Sequence, residues 1–289
     1  MISVKAIFAY GFYALLAVTL FLVLLFPDQA VKAYMDSRLS AIDPSLSMET
    51  ETIRPAIPPG LKMIGVDLNR DNARLAHFEA ARVSPNLTTL LQKNKQARFQ
   101  AQIADGTISG RATIQGTGPS EALRVEADLS QISLDKLDAI NTHAPFSLSG
   151  SLNGRMTHDA ARTSTGMTNG LLNVSDLHIT LKAPFLGITD LVMDQTDAEF
   201  SVSRGSLRLK SLTFDGPMFE GKITGTIELR DPLAQSRLIL TGHAKPRPEM
   251  IARLQETIPQ GIVNTQTLGT RGLSFRVRGS INSPDVTMR

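Results

Sequence analysis

The sequence predicts a mainly β protein: an N-terminal transmembrane helix, then an elongated, curved antiparallel β-sheet with a few short helices. Three observations carry this. Ala6 to Phe26 is a run of 21 residues without a charge. Beyond residue 43 the hydrophobic period is two instead of 3.6. Turn chemistry such as Asp105-Gly106 separates the alternating segments.

The apolar run comes first. As a helix rising about 1.5 Å per residue it reaches roughly 31 Å, the thickness of a bilayer's hydrocarbon core. A helix also satisfies its own backbone groups, as lipid demands. A cleaved signal peptide has a shorter core and a small-x-small site, whereas here Leu24-Leu25-Phe26-Pro27-Asp28 follows. Residues 1–27 are therefore expected to be a retained anchor, with Ala6, Phe12, Leu16, Leu20, Leu24 and Phe26 among its membrane residues. Lys5 and the amino terminus stand against Lys32 and Arg38, so flanking charge does not set its direction.

Residues 28–42 form the second unit. Pro27 and Asp28 suit a helix start, and Pro44 ends the helix. Val31, Met35, Leu39 and Ile42 lie on one stripe at helical spacing, and Lys32, Asp36 and Ser40 on another. Such a juxtamembrane amphipathic helix either lies at an interface or packs on the domain that follows.

Residues 43–289 form the third unit, a β domain of about thirteen strands. Ile108, Gly110, Ala112 and Ile114 alternate with polar residues, as do Leu123, Val125, Ala127 and Leu129. Ile223, Gly225, Ile227 and Leu229 do the same, and so do Phe275, Val277, Gly279 and Ile281. One apolar and one polar face per segment is the pattern of antiparallel sheet wetted on one side. The candidate apolar groove face is accordingly Ile108, Ile114, Leu123, Val125, Leu129, Ile223, Ile227, Leu229, Phe275 and Val277. The phase slips between Leu209 and Leu212, which predicts a bulge. Pro59-Gly60 predicts a turn, and short helices are expected at Asn86 to Lys93, Ser133 to Ile140 and Pro248 to Gln255. Glycines on the apolar face leave room for sheet twist or for something lying against the sheet.

Composition excludes several chemistries. There is no cysteine, so disulfides, thiolate zinc sites and cysteine nucleophiles are absent. A net charge of +3, scattered basic residues and 5% aromatic content argue against nucleic-acid binding. His77, His143, His158, His178 and His243 are isolated, without metal-ligand spacing. Gly216-Pro217-Met218-Phe219-Glu220-Gly221-Lys222 has phosphate-loop spacing, but Ile223 stands where Ser or Thr must hold magnesium. A strand pattern follows it where a helix should, so a hairpin turn is expected. Neither a nucleophile elbow nor a spaced carboxylate pair appears, so no catalytic residue, metal or cofactor is nominated.

The layout resembles a known family. An N-terminal anchor, the helix from Phe26-Pro27-Asp28 to Leu39, and a strand leading into Pro58-Pro59-Gly60-Leu61-Lys62-Met63 look like the start of GspN, the N protein of type II secretion systems. Phe78-Glu79-Ala80, Val83-Ser84-Pro85-Asn86-Leu87 and the hairpin from Phe99 to Gln115 continue the order. The tail Phe275-Arg276-Val277-Arg278-Gly279-Ser280-Ile281-Asn282-Ser283-Pro284 resembles the closing strand signature of the wider AsmA-like group. The resemblance implies a single-pass protein of the bacterial inner membrane with its C-terminal domain in the periplasm. It implies a non-catalytic accessory or scaffold part of the secretion machine, with other secretion or envelope proteins as partners. The AsmA-like side implies a groove or sandwich fold and an alternative function, lipid binding or lipid transfer in the cell envelope, with phospholipid acyl chains as partners.

Overall fold

The computed structural model describes residues 10, 13, 25–70, 73–89, 91–116, 122–137, 146–161, 166–185, 188–248, 250–251 and 272–288. Among the described residues, helix α1 (Asp28–Ile42) precedes fourteen strands. These are β1 (Leu46–Ala56), β2 (Gly60–Arg70), β3 (Ala73–Pro85), β4 (Lys95–Ile103), β5 (Gly106–Gln115), β6 (Ala122–Ser133) and β7 (Phe146–Asp159). They continue as β8 (Met167–Phe185), β9 (Ile188–Ser203), β10 (Ser206–Asp215), β11 (Phe219–Glu228), β12 (Arg237–Pro246), β13 (Leu273–Ser280) and β14 (Pro284–Met288).

All fourteen lie in one antiparallel, curved sheet in sequence order, so each strand pairs with its chain neighbours. The expected count of about thirteen strands is short by one. The sandwich alternative is corrected: the strands form a single sheet, and no second sheet lies on it among the described residues. Sequence alternation is identical in both arrangements, because it records a wet face and a dry face and not what covers the dry one.

Local chemistry explains the elements. Ala104 and Asp105 have φ of 49° and 61°, the mirror-image turn that matches strand twist and joins β4 to β5. Arg204 and Gly205, at 51° and 70°, join β9 to β10 in the same way. Pro58-Pro59 turn β1 into β2, and the phosphate-loop-like segment is the β10–β11 hairpin. The expected bulge falls between Leu209 and Leu212. The three expected helices shrink. The first is a 3-10 turn at Leu87–Thr89. The second is one at Leu134–Lys136, with 138–140 outside the described residues. The third is helical at Pro248, Met250 and Ile251, the rest again lying outside.

The predicted helix at 28–42 is observed as α1. Among the described residues no helix is long and apolar enough to cross a membrane. Of the predicted span only Tyr10, Tyr13, Leu25 and Phe26 are described; Ala6, Phe12, Leu16, Leu20 and Leu24 lie outside the described residues. The transmembrane helix therefore stands as an expectation from sequence alone.

The core is a seam of three linked clusters on one face. Ile53, Met63 and Val66 pack with Phe26, Val31, Met35 and Phe78. Phe78 also packs against Ile103, Ala104 and Ile132. Leu137 and Leu152 continue from there to Leu134, Leu177, Met193 and Phe214.

Candidate functional site

The candidate site is the apolar face, built by strand register. Cross-strand partners in an antiparallel pair point to the same side. Ile53, Met63, Ala81, Ala101, Ile108, Leu129 and Gly154 are successive partners from β1 to β7. Leu172, Ala198, Leu212, Ile223, Gly242, Phe275 and Met288 carry the row on to β14. A parallel row holds Pro55, Leu61, Val83, Phe99, Gly110, Ala127 and Met156. It ends with Gly170, Phe200, Leu209, Gly225, Leu240, Val277 and Val286. Neither row contains a polar side chain. Fourteen strands spaced about 4.8 Å apart make each row roughly 62 Å long.

Most of these side chains are half-buried, not sealed: Ala101, Ile108, Leu129, Leu172, Leu212, Ile223, Phe200 and Val277 all retain accessible surface. A cavity of about 320 Å³ opens on this face beside Val66, Phe78, Ala81, Val83, Phe99 and Ile108. A third row, Ala112, Val125, His158, Thr168, Val202, Leu207, Ile227 and Leu238, is interrupted only by His158 and Thr168. Those two satisfy each other at 2.9 Å.

Four glycines on this face share one device. Phe99 partners Gly110, Phe200 partners Gly170, Phe214 partners Gly221, and Phe275 partners Gly242. In each pair the phenyl ring lies where the glycine's Cβ would sit, within 2.2 to 2.6 Å of that point. The ring covers the bare backbone of the neighbouring strand and keeps the face low and smooth. The room that these glycines leave is thus filled by a neighbour's ring, which adjusts the sequence expectation of twist or an outside occupant.

The structure brings most of the expected face together. Ile108, Leu129, Ile223 and Phe275 lie in the first row, Val277 in the second, Val125 and Ile227 in the third. Ile114 and Leu123 partner each other at the margin, 38% and 42% exposed. Leu229 lies one residue past the end of β11 at Glu228, and its N–H donates to the Gly205 carbonyl at 2.7 Å, next to the Ser206–Glu228 pair. Met156, Leu172, Phe200 and Phe214 belong to the face and escaped the sequence reading; register shifts beside Gln131 in β6, between β7 and β8 at Gly150 and Asp176, and between Leu209 and Ser211 in β10 break the simple alternation.

The other face is polar and holds cavities of about 490 and 610 Å³. Its ion pairs include Arg155 with Asp128 at 2.7 Å, which raises the guanidinium pKa; at the β4–β5 turn Lys136 pairs with Asp105, which raises the ammonium pKa. Among the described residues no three His, Asp or Glu side chains gather to hold a metal. Comparison with protein-family models, curated proteins and solved structures finds no match to this chain.

Proposed function

We propose that this protein is a membrane-tethered, non-catalytic envelope protein whose apolar sheet face binds the acyl chains of lipids. The observation that carries the reading is the pair of apolar rows crossing all fourteen strands while most of their side chains stay half-buried. A core that existed only for stability would close over such a face, since each buried CH₂ contributes about 0.8 kcal/mol. Acyl chains supply the same burial when they lie along the rows. The smooth floor made by the phenylalanine–glycine pairs suits an occupant without fixed shape.

Native mass spectrometry of the full chain tests this. The expected result is retained phospholipid that is lost when Leu172→Asp and Ile223→Asp are combined. Equal lipid content in the wild-type chain and this variant would sink the reading, because it would assign the lipid to the anchor's annulus.

A second reading, an accessory part of a type II secretion system acting by protein contacts, is favoured by β14. Among the described residues that strand pairs only with β13, which leaves a free edge of the kind that accepts a partner strand. Co-purification from membranes checks it. Absence of any other secretion subunit, with secretion intact after deletion, removes it.

A further inference from the structure

The outer, polar face of β1 to β5 carries a cluster of cations that the trough does not use. Arg54 on β1 is the direct partner of Lys62 on β2, and Lys62 of Arg82 on β3. Arg98 on β4 is the direct partner of Arg111 on β5. Like charges placed directly opposite destabilise a sheet. Elsewhere in the register no Lys or Arg directly faces another Lys or Arg, and some face carboxylates, as Arg155 faces Asp128 and Lys245 faces Glu220. Three cation–cation contacts therefore gather in one place.

Two of the five have partners nearby: Arg111 also faces Glu126 on β6, and the Arg82 guanidinium donates to the Ile57 carbonyl at 2.7 Å and the Pro58 carbonyl at 3.3 Å. Arg54, Lys62, Arg98 and Arg111 are exposed and make no ion pair among the described residues. The two carboxylates that border the cluster are engaged: Glu126 with Arg124 at 3.2 Å and Asp128 with Arg155 at 2.7 Å. A cavity of about 610 Å³ is lined by Arg82, Arg98 and Arg111, by Ser84, Gln100 and Ser109, and on its β6 side by the engaged carboxylates Glu126 and Asp128. Guanidinium groups around a polar depression are suited to phosphate oxygens.

Position selects the phosphate source. Helix α1 packs along β1, and Phe26, the last residue of the 21-residue apolar run, packs on the β1–β3 cluster. The five cations lie on the other face of the same end of the sheet and span roughly 19 Å across five strands. We infer that the outer face of β1 to β5 is a docking surface for the anionic phospholipid headgroups of the bilayer that holds the anchor. The inference rests on reading Ala6 to Phe26 as that anchor. It adds an orientation: this end of the sheet lies down on the membrane and does not stand away from it.

The chain has no cysteine, so single labels are available without background. Full-length Ser109→Cys, labelled with a fluorophore, is placed in nanodiscs of phosphatidylcholine alone or with about a third phosphatidylglycerol, each carrying a headgroup quencher. The expected result is quenching in the anionic discs only, reversed by high salt as screening shortens to a few Å. A label at Ser211→Cys, on the same face at β10, should respond equally in both. Adding Arg98→Gln and Arg111→Gln should lower the Ser109 contact roughly tenfold. The same variant should leave thermal stability unchanged or raised, because it relieves a like-charge pair. Equal quenching of Ser109 in neutral and anionic discs, or insensitivity to those substitutions, overturns the docking surface while the anchor stands. A chain that fails to enter either disc overturns the anchor reading, and the docking surface with it.

Discussion

At Gly242 the ring of Phe275 occupies the place that a side chain would take, its Cζ 2.2 Å from where Cβ would sit. Valine there must push the ring off the strand. The expected cost of Gly242→Val is about 1–3 kcal/mol, the usual penalty for overpacking. Chemical denaturation measures it, and Phe275→Leu should recover part of the loss, because residues in contact do not act additively. If Phe275→Leu recovers nothing, the ring and the glycine are not a unit. Part of this device is legible in the sequence, since both Gly242 and Phe275 sit in alternating segments. Their pairing is not, because it depends on a register between strands separated by more than twenty residues.

Helix α1 shows what an element adds to its residues. Its apolar stripe behaves as its spacing predicts, with Val31 and Met35 packed on Ile53, Met63 and Val66. Its polar stripe does something that spacing cannot announce. Asp36 accepts the Met48 N–H at 3.2 Å, Lys32 donates to the Glu51 carbonyl at 2.7 Å, and Ser40 lies 3.5 Å from the Leu46 carbonyl. These backbone groups belong to β1, the first edge of the sheet, so the helix caps a row that would otherwise recruit another strand. Asp36→Ala is expected to cost about 1 kcal/mol. Hydrogen exchange at the Met48 amide should speed up, with α1 following as its attachment weakens. An unchanged exchange rate at Met48 would show that the cap does not protect the edge.

Across the whole molecule, one ion pair reports the curl of the sheet. Arg70, at the end of β2, reaches Asp231 beyond β11 at 3.2 Å and Asp43 beyond α1 at the same distance. In a flat sheet β2 and β11 would stand roughly 43 Å apart. The Asp43 carboxyl is held below its usual pKa first by the Ser45 hydroxyl, then by the Ser45 amide, and also by Arg70. A depressed carboxylate pKa contributes stability that is present above its unfolded value and lost as pH falls through the folded one. The Asp43–Arg70–Asp231 junction should therefore hold at neutral pH and loosen below about pH 4. Spin labels at Glu49→Cys and Leu233→Cys, both exposed and outside the junction, measure the gap under acid, and Arg70→Ala should widen it at neutral pH. A gap that ignores both would mean that the curl is set by backbone twist alone. The sequence by itself determined the two-faced strands, most of the turns and the extent of α1, because alternation, turn dipeptides and helical spacing are local signals. It also carries the uncharged run from Ala6 to Phe26 and the chemistry of an anchor. Only the tertiary structure decided that the strands form one sheet, that the apolar residues join into unbroken rows, and that Arg54, Lys62, Arg82, Arg98 and Arg111 collect on one face. Those facts depend on register, and register is a relation between strands that no single stretch of chain records.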